Sequence, residues 1–459
     1  VLGFAPGMGK TLTAMLVIAA AVAEGKRAVV ICPPSLRIGT WGREIAAEFP
    51  HLNVVQVVGQ TSEALPEDAD VAIVGDSVVA HRSEDLLAFA PQALVIDEAQ
   101  RMKSRKAKRA LAARDLADAV NTTADGIVLL LTGTLAVNRP DEVYMPVRIA
   151  GETPSRRISG GPSYKNFQST WCTTESIFVG GRRVNVTTGC KDAAGLHESL
   201  RRNLYISVDR ATVIADLPEK EVVRVGLSLS SNDLRTYNRL EREFLRWVQE
   251  MHGDEAMMRA AKAEAVVKMM KLWQEAGRAK VNETVDYVLN LIEQGEQVVV
   301  MGWHSAPIAA LNAALAARKV TCEDGTQRHV EVAEVIGGMN AQQKADAVDD
   351  FQSGAADVLI GNITAAGTGL DLDAACHLVF FQLPWSPGDF VQASDRIYRL
   401  TQQRNCTIHI LNALGTVDER MDMVLAAKAD VVDVINAGRT GVTMSESSVQ
   451  DEVLGSYGW

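Results

Sequence analysis

The sequence predicts an α/β protein of two parallel-sheet lobes with a partly helical insertion between them. Three observations predict it. Short β-branched runs alternate with helical stretches up to residue 134, and the alternation returns from residue 297. A glycine-rich loop, Pro6-Gly7-Met8-Gly9-Lys10-Thr11, opens directly into a helical stretch. The 459 residues are too many for one ordinary core.

In the first lobe, residues 1–150, strands are expected over 27–32, 54–58, 71–74, 94–96 and 127–131. Continuous apolar runs of this kind mark strands buried on both faces of a sheet, and ligands gather at the carboxyl ends of such strands. Asp97 and Thr132 stand at those ends. The chain starts at Val1, close before the glycine loop, so the strand feeding that loop and any segment gripping an adenine are expected upstream. The insertion, 151–275, opens on a Gly-, Ser-, Thr- and Arg-rich stretch carrying Tyr164, Phe167, Trp171 and Phe178. Over 231–275 it reads as long amphipathic helices. The second lobe, 276–436, repeats the strand signal at 297–301, 357–360, 377–383 and 407–411. Residues 437–459 are expected to form a mobile acidic tail, since the last nineteen hold three acids and no Lys or Arg.

Composition is that of a soluble globular protein, 47% apolar and 22% charged. The six cysteines contain no C-x-x-C pair, which argues against zinc and against a disulfide framework and fits a reducing compartment. The longest apolar run, 14–23, is too short to span a bilayer and reads as the buried helix after the glycine loop. A net charge of −11 gives no global attraction to nucleic acid, so such binding would need local patches. Two exist: six cationic residues in the nine positions 101–109, and nine Lys/Arg against five Asp/Glu over 151–215. Each is either a nucleic-acid surface or a solvated one.

In the loop, Gly7 and Gly9 let the backbone curl around Met8 so that N–H groups point at phosphate oxygens. Lys10 would neutralise the β- and γ-phosphates of a nucleotide and Thr11 would ligate Mg²⁺. The strict phosphate-loop pattern is not met, because Phe4 holds its first glycine position; a glycine-rich helix start is the plain alternative. Asp97-Glu98 follows the apolar run 93–96. There a strand-end carboxylate can hold Mg²⁺ through water while its neighbour polarises an attacking water. Thr132-Gly133-Thr134 closes the next strand, either as a link from the nucleotide site to the other lobe or as a turn. In the second lobe the string from Thr364 to Leu370, which includes Gly369, allows close approach of backbone to phosphate. Gln392, Arg396 and Arg399, at i, i+4 and i+7, are expected on one helix stripe. That stripe either pairs with acids such as Asp395 or supplies an arginine finger to an ATP site.

Taken in order, these strings resemble superfamily-two motors, and among them the Snf-type double-stranded DNA translocases. Val29-Val30-Ile31-Cys32-Pro33-Pro34-Ser35-Leu36, with Trp41 and Glu44, is similar to the family's first DNA-contacting motif. Asp97-Glu98-Ala99-Gln100-Arg101-Met102-Lys103-Ser104 resembles its "DEAH-R-L-K-N" run. Trp385-Ser386-Pro387 and the segment from Gln392 to Arg399, with Gln402, resemble its "W-N-P … Q-A-x-D-R-x-x-R-x-x-Q" signature. The likeness is greatest to the distant branch that includes annealing helicases, through Arg139-Pro140, Glu142-Val143-Tyr144, Ala279-Lys280, Trp303-His304 and Ile363-Thr364. Gln100 replaces the usual histidine, Ser386 the usual asparagine, and Ser207 and Val208 a usual arginine pair.

The resemblance implies two RecA-like lobes of the P-loop NTPase type closing on ATP and Mg²⁺. It implies catalysis by Lys10, Glu98, Arg396 and Arg399, with nucleotide contacts from Gly7, Met8, Gly9, Thr11, Gly369 and Gln392 and metal contacts from Thr11 and Asp97. Double-stranded or forked DNA would lie against Ser35, Lys103, His304 and Thr364. The expected setting is cytoplasmic or nucleoid-associated (nuclear in a eukaryote), with no membrane and no zinc. Two other readings stay open: a strand-separating helicase acting on DNA or RNA, and an ATP-binding interaction module without turnover.

Overall fold

The structure, a computed structural model, describes every residue except 5–7, 134, 136–138, 180–181, 209–217, 251–254, 322–324, 367–369, 400, 438–448 and 459. The chain forms two compact units, Val1–Ala215 with Asp430–Glu446, and Asp216–Ala429 with Ser447–Trp459. The stretch expected as one insertion is divided between them. Residues 151–208 pack with the first unit because Ile158, Phe167, Leu196 and Leu200 enter its core. The helices Ser231–Glu250 and Glu255–Ala279 belong to the second, whose core takes Phe244, Met269 and Trp273.

In the first unit the strands are β1 (Leu2–Phe4), β2 (Ala28–Cys32), β3 (Val54–Val57), β4 (Val71–Gly75), β5 (Ala93–Ile96) and β6 (Ile127–Leu130). Five of them form a parallel sheet in the order β3-β4-β2-β5-β6. Val29, Ile31, Leu94 and Ile96 enter one apolar cluster, and Ala28, Val30, Cys32 and Val95 the other. Period-two alternation with both faces covered explains why these strands are apolar at every position. Each fully buried valine or isoleucine contributes roughly 1.5–3 kcal/mol. The helix Lys10–Ala23 covers one face through Ala14, Met15 and Ile18, and Lys108–Thr122 covers the other through Ala113, Leu116 and Val120.

The strand feeding the glycine loop lies inside the chain, as β1, where the sequence placed it upstream. Three residues including a glycine carry too little β-signal to be seen. Leu2 bridges Leu131 in parallel, and β1 pairs with β9 (Ile206–Val208). Before β9 comes an antiparallel hairpin of β7 (Cys172–Val179) and β8 (Arg182–Cys190), with a register shift at Thr173/Thr174.

The second unit is built on a six-stranded sheet containing β10 (Lys220–Leu227), β11 (Val298–Gly302), β14 (Val332–Val335), β15 (Val358–Asn362), β16 (His377–Phe380) and β17 (Cys406–Ala413). Its order is β10-β17-β16-β11-β15-β14, parallel throughout. A small hairpin of β12 (Lys319–Thr321) and β13 (Gln327–His329) lies outside it. The expected mobile tail is corrected in part: Val449–Gly455 is a helix. Val453, Leu454 and Tyr457 are buried, and Tyr457 packs edge-on against Phe244 at 5.2 Å. Three apolar anchors outweigh the acidic composition. Among the described residues no helix is long and apolar enough to cross a membrane.

Candidate nucleotide and nucleic-acid sites

In the first unit the candidate groups collect at the carboxyl ends of β1, β5 and β6. Gly9 caps the helix Lys10–Ala23 with φ +74°, the left-handed region that glycine enters without strain. That helix has no side-chain cap and no acid in its first turn, so its amino end is left for an anion. Among the described residues an added Cβ at Gly9 would meet nothing within 4 Å. Lys10 folds back, its Nζ donating to the Phe4 carbonyl at 2.8 Å. The donor set fits a triphosphate with Mg²⁺. Gly7, Thr134 and Gly369 lie outside the described residues.

Asp97 is buried at the tip of β5, where its Oδ2 accepts from Trp41 Nε1 at 2.9 Å and its Oδ1 from the Glu98 N–H at 2.9 Å. Burial and the neighbouring Glu98 carboxylate push its pKa up to about 6, against the pull of those two donors and of Lys10. Glu98 adopts φ +51°, a conformation that costs a non-glycine residue of order 1–3 kcal/mol. Hydrogen bonds on both sides hold it there, from Asp97 N to Ile31 O at 2.8 Å and from Ala99 N to Leu131 O at 2.9 Å. Gln100 Nε2 donates to Glu98 Oε2, and Thr132 Oγ1 donates to Gln100 Oε1 at 2.7 Å. The residue that departs from the family's histidine therefore bridges the Glu98 carboxylate and the end of the β6 strand run.

Three of the six cations of the run 101–109 are in ion pairs within the unit. Arg101 and Arg109 both pair with the buried Asp76, at 2.6 and 3.3 Å, and Lys103 pairs with Glu142 at 2.9 Å. Lys103, expected as a phosphate contact, thus ties the strand-tip segment to the turn Pro140–Val143. Ser35 lies in the helical turn Pro34–Leu36 after β2; its side chain is outside the described residues.

In the second unit the expected helical stripe is corrected. The helix Pro387–Ser394 ends before Arg396, so Gln392, Arg396 and Arg399 do not share one helix. The turn after it, with Arg396 N bonded to Ala393 O at 3.1 Å, redirects the chain. Both guanidinium groups still converge, on the Leu370 carbonyl, Arg396 Nη1 at 3.4 Å and Arg399 Nη2 at 3.0 Å. Arg399 also pairs with Asp371 at 2.5 Å, while its buried Nε has no hydrogen-bond partner among the described residues. Thr364 is exposed just beyond β15, its backbone N–H donating to Asn362 Oδ1 at 3.0 Å. Asn362 Nδ2 in turn donates to Trp303 O at 2.6 Å, which fixes the ends of β11 and β15 side by side. His304 is half-buried, edge-on to Trp273 at 4.8 Å, and its backbone N–H donates to Gln382 Oε1 at 3.0 Å. Burial lowers its pKa below the usual imidazole value, and the ring packs against Trp273.

Sequence reasoning saw the carboxylates and both arginines, but not the Trp41–Asp97, Gln100–Thr132 or Asn362–Trp303 links. Each joins residues far apart in sequence. The one available signal was Gln100 itself, a polar residue where the family carries another.

A phosphate loop, a strand-tip carboxylate pair and a second parallel-sheet unit with converging arginines define a helicase-like ATPase class with two RecA-like lobes. The SNF2-related domain matches residues 1–300 and the helicase conserved C-terminal domain residues 280–401; the chain belongs to the SNF2 family. It is 27% identical over 446 residues to the DNA annealing helicase and endonuclease ZRANB3 of Mus musculus, covering 94% of this chain and 38% of that protein. It is 26% identical to the SWI/SNF-related matrix-associated actin-dependent regulator of chromatin subfamily A-like protein 1 of Xenopus tropicalis, covering 96% of this chain and 43% of that one. Among solved structures, the Sulfolobus solfataricus SWI2/SNF2 ATPase core in complex with dsDNA is 22% identical. It covers 95% of this chain and 88% of that chain at a TM-score of 0.39. The chain thus spans less than half the length of these two curated relatives.

Proposed function

We propose that the chain is a DNA-dependent ATP hydrolase that moves along double-stranded DNA. The observation that carries this reading is the strained Glu98, held by Gln100 to Thr132 beside a buried Asp97 that feels the charge of Lys10. Strain maintained by surrounding hydrogen bonds at a carboxylate is characteristic of a working site.

In this reading Gly7, Met8 and Gly9 cradle the ATP phosphates and Lys10 leaves the Phe4 carbonyl to neutralise them. Thr11, and Asp97 through water, would hold Mg²⁺, which would supply charge neutralisation for phosphoryl transfer. Glu98 orients the attacking water and takes up its proton. Arg396 and Arg399 stabilise charge on the transferred phosphoryl group, with Gly369 and Gln392 as further nucleotide contacts. Ser35 and Thr364 stand at strand ends suited to phosphate contacts, which position a duplex without reading its sequence. Lys103 and His304 act instead as positioning residues, given their partners Glu142 and Gln382. Similarity to a DNA annealing helicase and endonuclease supports DNA as the track.

Steady-state ATPase with duplex, forked and single-stranded DNA and with RNA tests the reading. Stimulation by fully paired duplex is expected. Stimulation confined to single strands or RNA would favour a strand-separating helicase, and no turnover with any of them would favour an interaction module.

A further inference from the structure

The basic character of residues 151–208 finds no use in the site above, and the structure gathers part of it into one place. Two adjoining cavities of about 900 and 330 Å³ in the first unit share Arg105 and Tyr164. Arg105 lies over the Tyr164 ring at 4.1 Å, and the Tyr164 hydroxyl donates to Asp141 at 3.0 Å. The ring is thereby anchored beneath the guanidinium. Lys106, Lys165 and Lys191 line the same cavities. Among the described residues none of these four cations is in an ion pair.

The acids that line the cleft are already matched, Glu142 to Lys103 at 2.9 Å and Asp141 to Arg139 at 3.6 Å. The remainder of the lining offers neutral hydrogen-bonding groups such as Gln168, Ser176 and Asn185. Four uncompensated cations in a chain of net charge −11 call for an anionic occupant. Cavities of this size admit a length of flexible strand but not the body of a duplex. A guanidinium lying over an aromatic ring offers a base a cationic and aromatic contact in one place, and flanking lysines suit the phosphates on either side.

We propose that this cleft binds a single polynucleotide strand, separately from the duplex on which the motor acts. The inference rests on the reading of the chain as a nucleic-acid motor for its choice of polyanion. The displaced or branched strand of a DNA junction and a single-stranded RNA share the required chemistry.

The test is fluorescence anisotropy of the full chain with labelled oligothymidylate, oligouridylate and blunt duplex across a salt series, beside duplex-stimulated ATPase. The variants are Lys165→Glu/Lys191→Glu and the milder Lys165→Gln/Lys191→Gln, both checked by thermal melting. The expected result is a roughly tenfold loss of single-strand affinity in the charge-reversed variant, with duplex-stimulated ATPase within about twofold of the parent. The salt slope should flatten by about 1.4 units, near 0.7 for each lost phosphate contact. The neutral variant should show the same pattern at smaller size, which keeps the test valid if charge reversal impairs folding. Comparing oligothymidylate with oligouridylate tells a DNA strand from an RNA one. A parent that binds neither single strand, or variants that bind both like the parent, would overturn the proposal. So would a parallel loss of duplex stimulation, which would place the cleft on the duplex track. A parent whose ATPase no nucleic acid stimulates defeats the motor reading, while anisotropy still decides the cleft.

Discussion

Glu98 concentrates the residue-scale argument, because its backbone conformation and its side-chain partner are both set by neighbours rather than by its own preference. Glu98→Gln keeps the size and the hydrogen bonding to Gln100 but removes the base. Turnover should fall by about 10²–10⁴-fold, the usual weight of a positioned acid–base group. Nucleotide affinity, measured by equilibrium binding, should stay within about twofold. Gln100→Ala should lower turnover more modestly, by about tenfold or 1.4 kcal/mol, since it loosens Glu98 without deleting it. A variant with parental kcat would show that the bridge to Thr132 does not position the carboxylate. The candidate residues were legible here because Lys10, Thr11, Asp97 and Glu98 sit at local spacings. Their positioning partners were not, because Trp41 and Thr132 reach the site only through folding.

Among elements, the buried strands were readable and the half-buried ones were not. A run such as Val71–Gly75, buried at all five positions, announces itself. The edge strand β10 mixes Lys220, Glu221 and Arg224 with valines and was missed, although it pairs with β17 over eight residues. The arginine stripe failed for a related reason: spacing assumes that the helix continues, and Pro387–Ser394 stops too soon.

Two element junctions yield predictions. Lys280, fully buried, bonds Asp418 and donates to Leu411 O at 2.6 Å, joining the helices Val281–Ile292 and Val417–Ala437 to the end of β17. Asp418→Ala leaves that ammonium uncompensated and should destabilise the protein by about 3–5 kcal/mol in denaturant unfolding. A change below about 1 kcal/mol would mean that the pair is not closed in solution.

His409 on β17 meets His377 at 2.9 Å and Tyr287 at 2.8 Å, with Glu296 and Arg404 bonded to each other beyond His377. Burial, then the neighbouring His377, lowers the His409 pKa to about 4 from 6.5. The folded state therefore holds fewer protons here than the unfolded chain. The stability this contributes is present above pH 6.5 and is lost as pH falls towards 4. The melting temperature should drop across that window, and His409→Gln should flatten the drop. An equally steep profile in the variant would assign the acid sensitivity elsewhere.

At the scale of the whole molecule, sequence order made two sheet-based units legible, but not the division of the middle segment between them. Apolar anchors decide that division: Phe167 and Leu196 enter one core, Phe244 and Trp273 the other. The same logic holds the C-terminal helix through Leu454 and Tyr457 despite its acidic surroundings. The SNF2-related and helicase C-terminal matches, over residues 1–300 and 280–401, reach into both units.

The central claim is movement along fully paired DNA driven by hydrolysis at Glu98. Its most direct test is ATP-dependent release of a third strand from a triplex on an otherwise intact duplex. The account predicts release by the parent chain with ATP and Mg²⁺, none with a non-hydrolysable analogue, and none by Glu98→Gln. A parent that hydrolyses ATP on duplex DNA yet leaves the third strand in place would contradict it.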